Sequence, residues 1–442
     1  MGTLLIIVAG ILVGFLIFIR PALGLGIILL SALFLPEIEF GSVGVSRGIQ
    51  AREISVRPED FFIMLVGIGW FVEAAIRGRM PSIIHNPLNI PILVLTLVMI
   101  SATILGIAQG TTTFGAGILY TLKKIQYFIV FFLIIGNVKT FKEVKSNITL
   151  LIIFSVVVAL WSIVEYFFLV GGVARITGPF MRKGQPPILG GFFLMIIFLG
   201  ISFFMRYTEF RKRIPMLIIV VISFLVIIFT KTRSSYVGAF IGLIAFGIIF
   251  RKPALLAIPI LLVITIDIIF PTVIAERIHT IGGIWQRGET TSPYAPSWDV
   301  RVATWKEVMP EIMAYPLLGK GAGCYSLAWL DNQYVTDLLY MGVIGLGVFI
   351  WLLFRIFKTV FYLSKSPPPS TPSEGIEYSY VMALSAGYLG GLIALIIHGM
   401  AVTTFYNIRT MIPFWFLTGL VIVSRDLFLR TEDIKSPLTY NA

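Results

Sequence analysis

Three short stretches crowd cations, aromatic rings and carboxylates between long apolar runs. The first is FTKTRSSYVG, residues 229–238, where Lys231 and Arg233 sit in a short turn. A cation so close to hydrocarbon is costly unless it snorkels or finds a partner. Guanidinium binds phosphate oxygens through a two-pronged fork, so this turn suits a phosphate or pyrophosphate clamp. The competing reading is that both side chains simply reach out to lipid headgroups. The second stretch, ARITGPFMRKGQPPILGGF at 174–192, sets Arg175, Arg182 and Lys183 in a Gly- and Pro-rich loop running into a helix. Gly-rich backbone lets amides approach an anion, and a helix N-terminus favours one. An ordinary basic loop lying on anionic lipid would read the same way.

The third stretch, PSWDVRVATWKEVMPEIM at 296–313, continues through YPLLGKGAGCYSLAWLDNQYVTDLLYMGVIG at 315–345. A helix over 299–313 sets Arg301 and Trp305 on one face at i, i+4 spacing, with Asp299 near its start as a cap. GKGAG then turns sharply, and Asp331, Asn332 and Tyr334 open the next apolar helix. Aromatic faces suit sugar rings, and a carboxylate can take a hydroxyl proton. The alternative is an amphipathic surface helix anchored at the interface by its tryptophans.

The elements that must hold these residues are membrane helices. Of 442 residues, 57% are hydrophobic and 13% charged, about half the roughly 25% charge of a soluble domain. The expected fold is all-α: a polytopic transmembrane bundle with one large helical loop outside the membrane. Apolar runs of about membrane-spanning length fall near 3–19, 22–35, 59–76, 89–107, 115–136, 148–169, 187–205, 214–230, 235–250, 253–270, 333–357, 377–400 and 410–424. Three parts follow: N-terminal membrane helices over 1–270, an extracytoplasmic loop with short amphipathic helices over 271–332, and C-terminal helices with a tail over 333–442. The first run lacks a preceding basic segment and a small-residue cleavage site, so it reads as a membrane helix rather than a signal peptide. SKSPPPSTPSEG at 364–375 is a polar, Pro-rich loop.

The positive-inside rule orients the bundle. RYTEFRKRIP, RKP, NVKTFKEVK and RIFK fall on one side, which is therefore cytoplasmic. The opposite side receives Lys123, Lys124, Arg175, Arg182, Lys183, Lys231, Arg233, Arg277, Arg287, Arg301, Lys306, Lys320 and Arg409, a basic outer zone. A net charge of +12 in such a protein belongs to loops and headgroups, so nucleic acid is excluded as a partner. The lone Cys324 rules out an internal disulfide, and three scattered histidines leave little for a metal site. Glu165 and Asp267 lie in apolar runs near outer helix ends, where they are functional candidates or merely reach water. His398 reads as a packed, hydrogen-bonded histidine, Asp337 and Glu307 as supporting or solvated groups, and Gly342-x-x-Gly345 as a helix-packing contact.

In order and spacing, TKTR (230–233), RVATW (301–305), PLLGKGAG (316–323), DNQY (331–334) and GVIG (342–345) form a set. Together with TGPFMRKGQPP (177–187), that set resembles the O-antigen ligase and O-antigen polymerase superfamily, integral membrane glycosyltransferases of GT-C type. The similarity runs over roughly 60–425. The resemblance implies transfer of a glycan from a polyprenyl pyrophosphate to a sugar hydroxyl on the outer face of the cytoplasmic membrane, without a metal or other cofactor. It implies Arg233 and Arg301 receiving the pyrophosphate and Asp331 handling the hydroxyl. Arg175, Arg182, Lys183, Lys231, Trp305, Asn332 and Tyr334 would bind substrate. The partners are the lipid-linked donor and acceptor, membrane lipids, and in some such systems a chain-length regulator. Ligases usually carry histidine where this chain has Asp331, and the asparagine of the superfamily's G-x-F-x-x-P-N loop is absent from TGPFMRKGQPP. The aspartate favours a polymerase of lipid-linked repeat units over a ligase. A lipid-linked glycan flippase fits less well: transporters of this size show internal repeats around a midplane site, and none is detectable here.

Overall fold

The computed structural model describes residues 14, 21–36, 38–43, 52–76, 86–172, 174–180, 186–253, 255, 257, 297–324, 330–367 and 375–433. Among these residues the backbone is overwhelmingly helical. The helices are α1 (Pro21–Phe34), α2 (Pro58–Ile76), α3 (Asn89–Ala108), α4 (Phe114–Asn137), α5 (Phe141–Val164), α6 (Pro186–Arg206), α7 (Phe210–Thr230) and α8 (Arg233–Ile249). After these come α9 (Ser297–Ala314), α10 (Gln333–Ser364), α11 (Gly375–His398) and α12 (Ile408–Asp433). Among the described residues, 8 helices are long and apolar enough to cross a membrane: α3 to α7 and α10 to α12. The all-α polytopic architecture read from composition is the one that forms. Its small exception is an antiparallel hairpin between α1 and α2, where β1 (Ile38–Val43) pairs with β2 (Arg52–Val56). The spans expected at 3–19 and 253–270 lie almost wholly outside the described residues, as does Asp267.

Several helices outrun their apolar cores. α5 starts at Phe141, a full two turns before the expected 148, because Thr140 and Glu143 form a reciprocal capping box. Such a box satisfies end amides that would otherwise stay open. Lys142, Glu143 and Lys145 thus end the apolar run without ending the helix.

The centre of the bundle is α6, buried on all sides from Leu189 to Phe203. It packs on α7 and α11, and α11 in turn packs on α8. Lipid tails offer no hydrophobic gain for helix association, so close backbone contact must do the work. Small residues provide it: a Cβ on Gly387 of α11 would stand 2.8 Å from the Leu199 Cα of α6.

α10 is broken in a way the sequence pattern did not convey. Gly342 takes φ 64° and ψ −167° inside the helix, a region open essentially to glycine alone. The helical ladder parts there, and the loop before α10 closes the gap. Lys320 and Gly321 N–H donate to the Leu339 and Tyr340 carbonyls at 2.8 and 3.1 Å, while Val343 and Ile344 N–H donate to the Pro316 and Leu317 carbonyls at 2.8 and 3.2 Å. Thr111 Oγ1 donates to the Lys320 carbonyl at 2.7 Å, tying the loop to the α3–α4 connection as well. PLLGKGAG and GVIG are therefore one spliced unit. Gly342 serves a loop-to-helix junction, where the spacing had suggested helix-to-helix packing.

Candidate active site

The α7–α8 turn is built by one unusual residue. Lys231 takes a left-handed conformation, φ 50° and ψ 38°, which stops α7 at Thr230. Thr232 is extended, and Arg233 is already the first residue of α8. A reversal this tight holds Lys231 and Arg233 at the ends of two helices. Arg175 braces it from the neighbouring loop: its Nε donates to the Thr230 carbonyl at 3.0 Å and its Nη2 to Thr232 Oγ1 at 2.9 Å. That loop is itself anchored by Glu165, whose carboxylate accepts from the Gly178 amide at 2.6 Å and the Thr177 amide at 3.2 Å. Glu165 opens a single π-helical turn, Glu165–Leu169, and Tyr166 beside it stacks on Phe229 of α7 with centroids 3.9 Å apart. Glu165 therefore anchors a loop. Arg182 and Lys183 lie outside the described residues.

Behind this turn, the second turn of α6 touches the first turn of α8. A Cβ on Gly190 would lie 2.1 Å from Ser235 Oγ. Two helix N-termini thus point their partial positive charge toward the same end of the bundle that carries Lys231 and Arg233, and that end favours an anion. His398, the last residue of α11, closes the arrangement from the other side. It is buried, a Cβ on Gly191 would sit 3.2 Å from its Cε1, and its Nδ1 meets Thr404 Oγ1 at 2.7 Å. The packed, hydrogen-bonded role expected of it is the one it has.

A second group forms at the start of α10. Asn332 caps the helix, its Oδ1 accepting from the Tyr334 and Val335 amides at 2.9 and 3.2 Å. Its Nδ2 donates to the Met400 carbonyl at 2.9 Å, the Gln333 amide donates to the Gly399 carbonyl at 2.9 Å, and Tyr334 Oη donates to the Ile396 carbonyl at 2.6 Å. Asn332 and Tyr334, expected to contact substrate, here direct these groups at the end of α11. Asp331, just before the cap, is exposed. α9 begins at Ser297, two residues before the expected start, so Asp299 falls inside its first turn rather than at its cap. Arg301 lies in α9, and Trp305, one turn on, packs half-buried against the core.

The two groups share a support. Residues 396–400 of the α11 end receive Asn332, Gln333 and Tyr334. From the same turn His398 faces α6, while the Cβ that Gly238 of α8 lacks would lie 3.6 Å from the His398 Cβ. The opening of α10 and the early part of α8 thus both pack on the end of α11.

The basic zone is less positive than its residue count suggests. Lys123 bonds both oxygens of Asp60, at 2.6 and 2.5 Å. Lys320 pairs with Glu311 at 2.5 Å, and Lys124 with Asp337 at 3.4 Å. Arg409 donates to the Leu33 carbonyl at the end of α1, at 3.2 Å, and so serves the fold. Asp337 is fully buried and is a supporting group; of the two readings offered for it, solvation is the one that fails. The signal was present in the sequence: Lys124 and Asp337 are ionisable residues in apolar runs, and such residues need partners.

Residues 218–350 match the model of a family described as O-antigen ligase. No curated protein matches the chain. The matched segment holds the α7–α8 turn, α9, the Gly-rich loop and the broken start of α10, part of the wider stretch carrying the resemblance. Over that segment this multi-pass chain of long apolar helices is similar to the O-antigen ligase family.

Proposed function

We propose that the protein polymerises lipid-linked oligosaccharide repeat units on the extracytoplasmic face of the cytoplasmic membrane. The observation that supports the reading is a cationic turn at two helix N-termini and an exposed carboxylate before α10, both borne on elements packed against the end of α11. The donor's pyrophosphate would lie against Arg233 and Lys231, with Arg301 of α9 closing on it and Arg182 and Lys183 assisting. The acceptor is a second lipid-linked unit. Its sugar hydroxyl oxygen attacks the donor's anomeric carbon, the anomeric carbon–oxygen bond to the pyrophosphate breaks, and polyprenyl pyrophosphate leaves with the bonding pair. The hydroxyl proton passes to the Asp331 carboxylate. Cations fixed where negative charge develops lower the barrier most when they need no rearrangement, which is what the bracing of the turn by Arg175 supplies. Trp305 would offer a ring face to a sugar.

The family description names a ligase, and that is the second reading: the same donor, with a core glycolipid or protein as acceptor. Aspartate in place of the usual histidine at position 331 favours the polymerase. The test is purified protein mixed with lipid-linked repeat units alone. A polymerase yields a ladder of longer glycans and free polyprenyl pyrophosphate. No ladder without an added acceptor would assign a ligase, and no transfer with either would end both readings.

A further inference from the structure

Beneath Asp331 lies a closed polar circuit in an otherwise apolar region. Asp337, one turn into α10, holds Gln333 Nε2 with its Oδ2 at 3.0 Å. Gln333 Oε1 accepts the Phe405 amide at 2.9 Å. Tyr406, the next residue, returns its Oη to Asp337 Oδ1 at 2.6 Å. Lys124 of α4 meets that oxygen at 3.4 Å, with its Nζ 4.0 Å from the Tyr406 ring centroid. Gln333 and Asp337 are fully buried, and Lys124 is 3% exposed. Burial, reinforced by the Asp337 carboxylate, pushes the Tyr406 phenol well above its usual range, so it remains a hydrogen-bond donor. Tyr127 adds a further tie, its Oη donating to the Tyr406 carbonyl at 3.0 Å.

Stability does not account for this circuit. Apolar side chains of similar volume are often as stabilising as a buried ion pair, or more so. What the circuit does is fix registration: it clamps the first turn of α10 to the α11–α12 connection and to α4 at once. Asp331 lies two residues from Gln333 and precedes the helix, so the position of its backbone is set by the clamp.

We propose that Lys124, Asp337, Gln333 and Tyr406 are positioning residues that set where the Asp331 carboxylate stands relative to the cationic turn. The proposal rests on the transfer reaction above, in which Asp331 receives the acceptor proton. A misplacement of about 1 Å can cost roughly 100-fold in rate without touching substrate affinity, so the loss should appear in kcat rather than in the donor KM.

The experiment is steady-state transfer by the full-length protein in lipid nanodiscs, with polyprenyl-pyrophosphate-linked repeat units as donor and acceptor. Gln333→Met and Asp337→Asn are expected to lower kcat about 10- to 100-fold while donor KM stays within about twofold. Lys124→Met combined with Asp337→Asn removes both charges without stranding either, so it keeps the test alive should Asp337→Asn alone fail to fold. Asp331→Glu, harmful in the parent, should recover part of the lost kcat in Gln333→Met by extending the displaced carboxylate, a compensation that a merely structural role would not give. Folded variants with parental kcat, or losses that follow only the folded fraction, would overturn the proposal. Asp331→Ala separates the two levels. If it remains active, the base assignment of the transfer reading is wrong; if it is inactive while Gln333→Met is normal, the positioning proposal alone is wrong.

Discussion

Gly342→Ala is the sharpest test of the splice between α10 and the loop before it. At φ 64° and ψ −167° an alanine is strained by about 1–3 kcal/mol before any contact is considered. Its Cβ would then lie 2.3 Å from the Leu317 carbonyl oxygen, 2.4 Å from its carbon and 2.6 Å from the Leu318 nitrogen. All three are backbone atoms, so no rotamer change relieves the clash; the loop must retreat. Retreat stretches the four cross-connecting bonds at Leu339, Tyr340, Val343 and Ile344, each worth about 1 kcal/mol net and more if its groups stay buried. The lost chain flexibility of alanine offsets under about 1 kcal/mol. The expected destabilisation is roughly 3–7 kcal/mol, enough to lower the unfolding temperature by on the order of 10 °C. Gly347→Ala is the matched control, in the same helix with nothing within 4 Å of the new Cβ. It should be neutral or slightly stabilising, since alanine is the better helix former. Thermal unfolding of both purified variants in detergent, followed by tryptophan fluorescence and by elution as a single species, makes the comparison. Equal unfolding temperatures would show that the loop does not brace the helix, and the splice would have to be abandoned.

Three further expectations concern the chemistry. Arg233→Ala and Arg301→Ala should each slow glycan transfer by at least 10- to 100-fold, the worth of a charge-assisted hydrogen bond to the leaving group, with insertion and folding unchanged; near-normal turnover in either would remove that residue from the pyrophosphate clamp. Arg175→Met deletes the two bonds to Thr230 and Thr232 and should lower kcat by roughly tenfold through a loosened turn, checked by single-turnover transfer, whereas a rise in donor KM alone would mean that Arg175 binds substrate directly. Asp331→Asn should be severely impaired if the carboxylate takes the proton, and only mild loss would reduce it to an orienting role.

The helices were legible in the sequence because hydrocarbon demands long, unbroken apolar segments, and α3, α4, α6 and α11 begin and end within a few residues of their expected positions. The helix ends were harder, since Thr140 and Glu143 extend α5 by local hydrogen bonding that hydropathy does not register. At the site, sequence spacing located the turn of Lys231 and Arg233 and the opening of α10 at Asp331. It could not tell which cations already had partners. Asp60 lies 63 residues from Lys123 and Asp337 lies 213 residues from Lys124, and only the fold brings such pairs together. Gly342 shows the same limit: spacing announced a close contact, but the identity of the partner depended on a loop folding back.

The order of the chain gives the α10 break a bearing on biogenesis. The stub from Gln333 to Met341 has open carbonyls at Leu339 and Tyr340, and bare backbone groups cannot be left in lipid. The segment that covers them, Pro316 to Gly321, is synthesised first. When α10 emerges from the ribosome, its partner strip has already been made, so the nascent stub can be received rather than stranded.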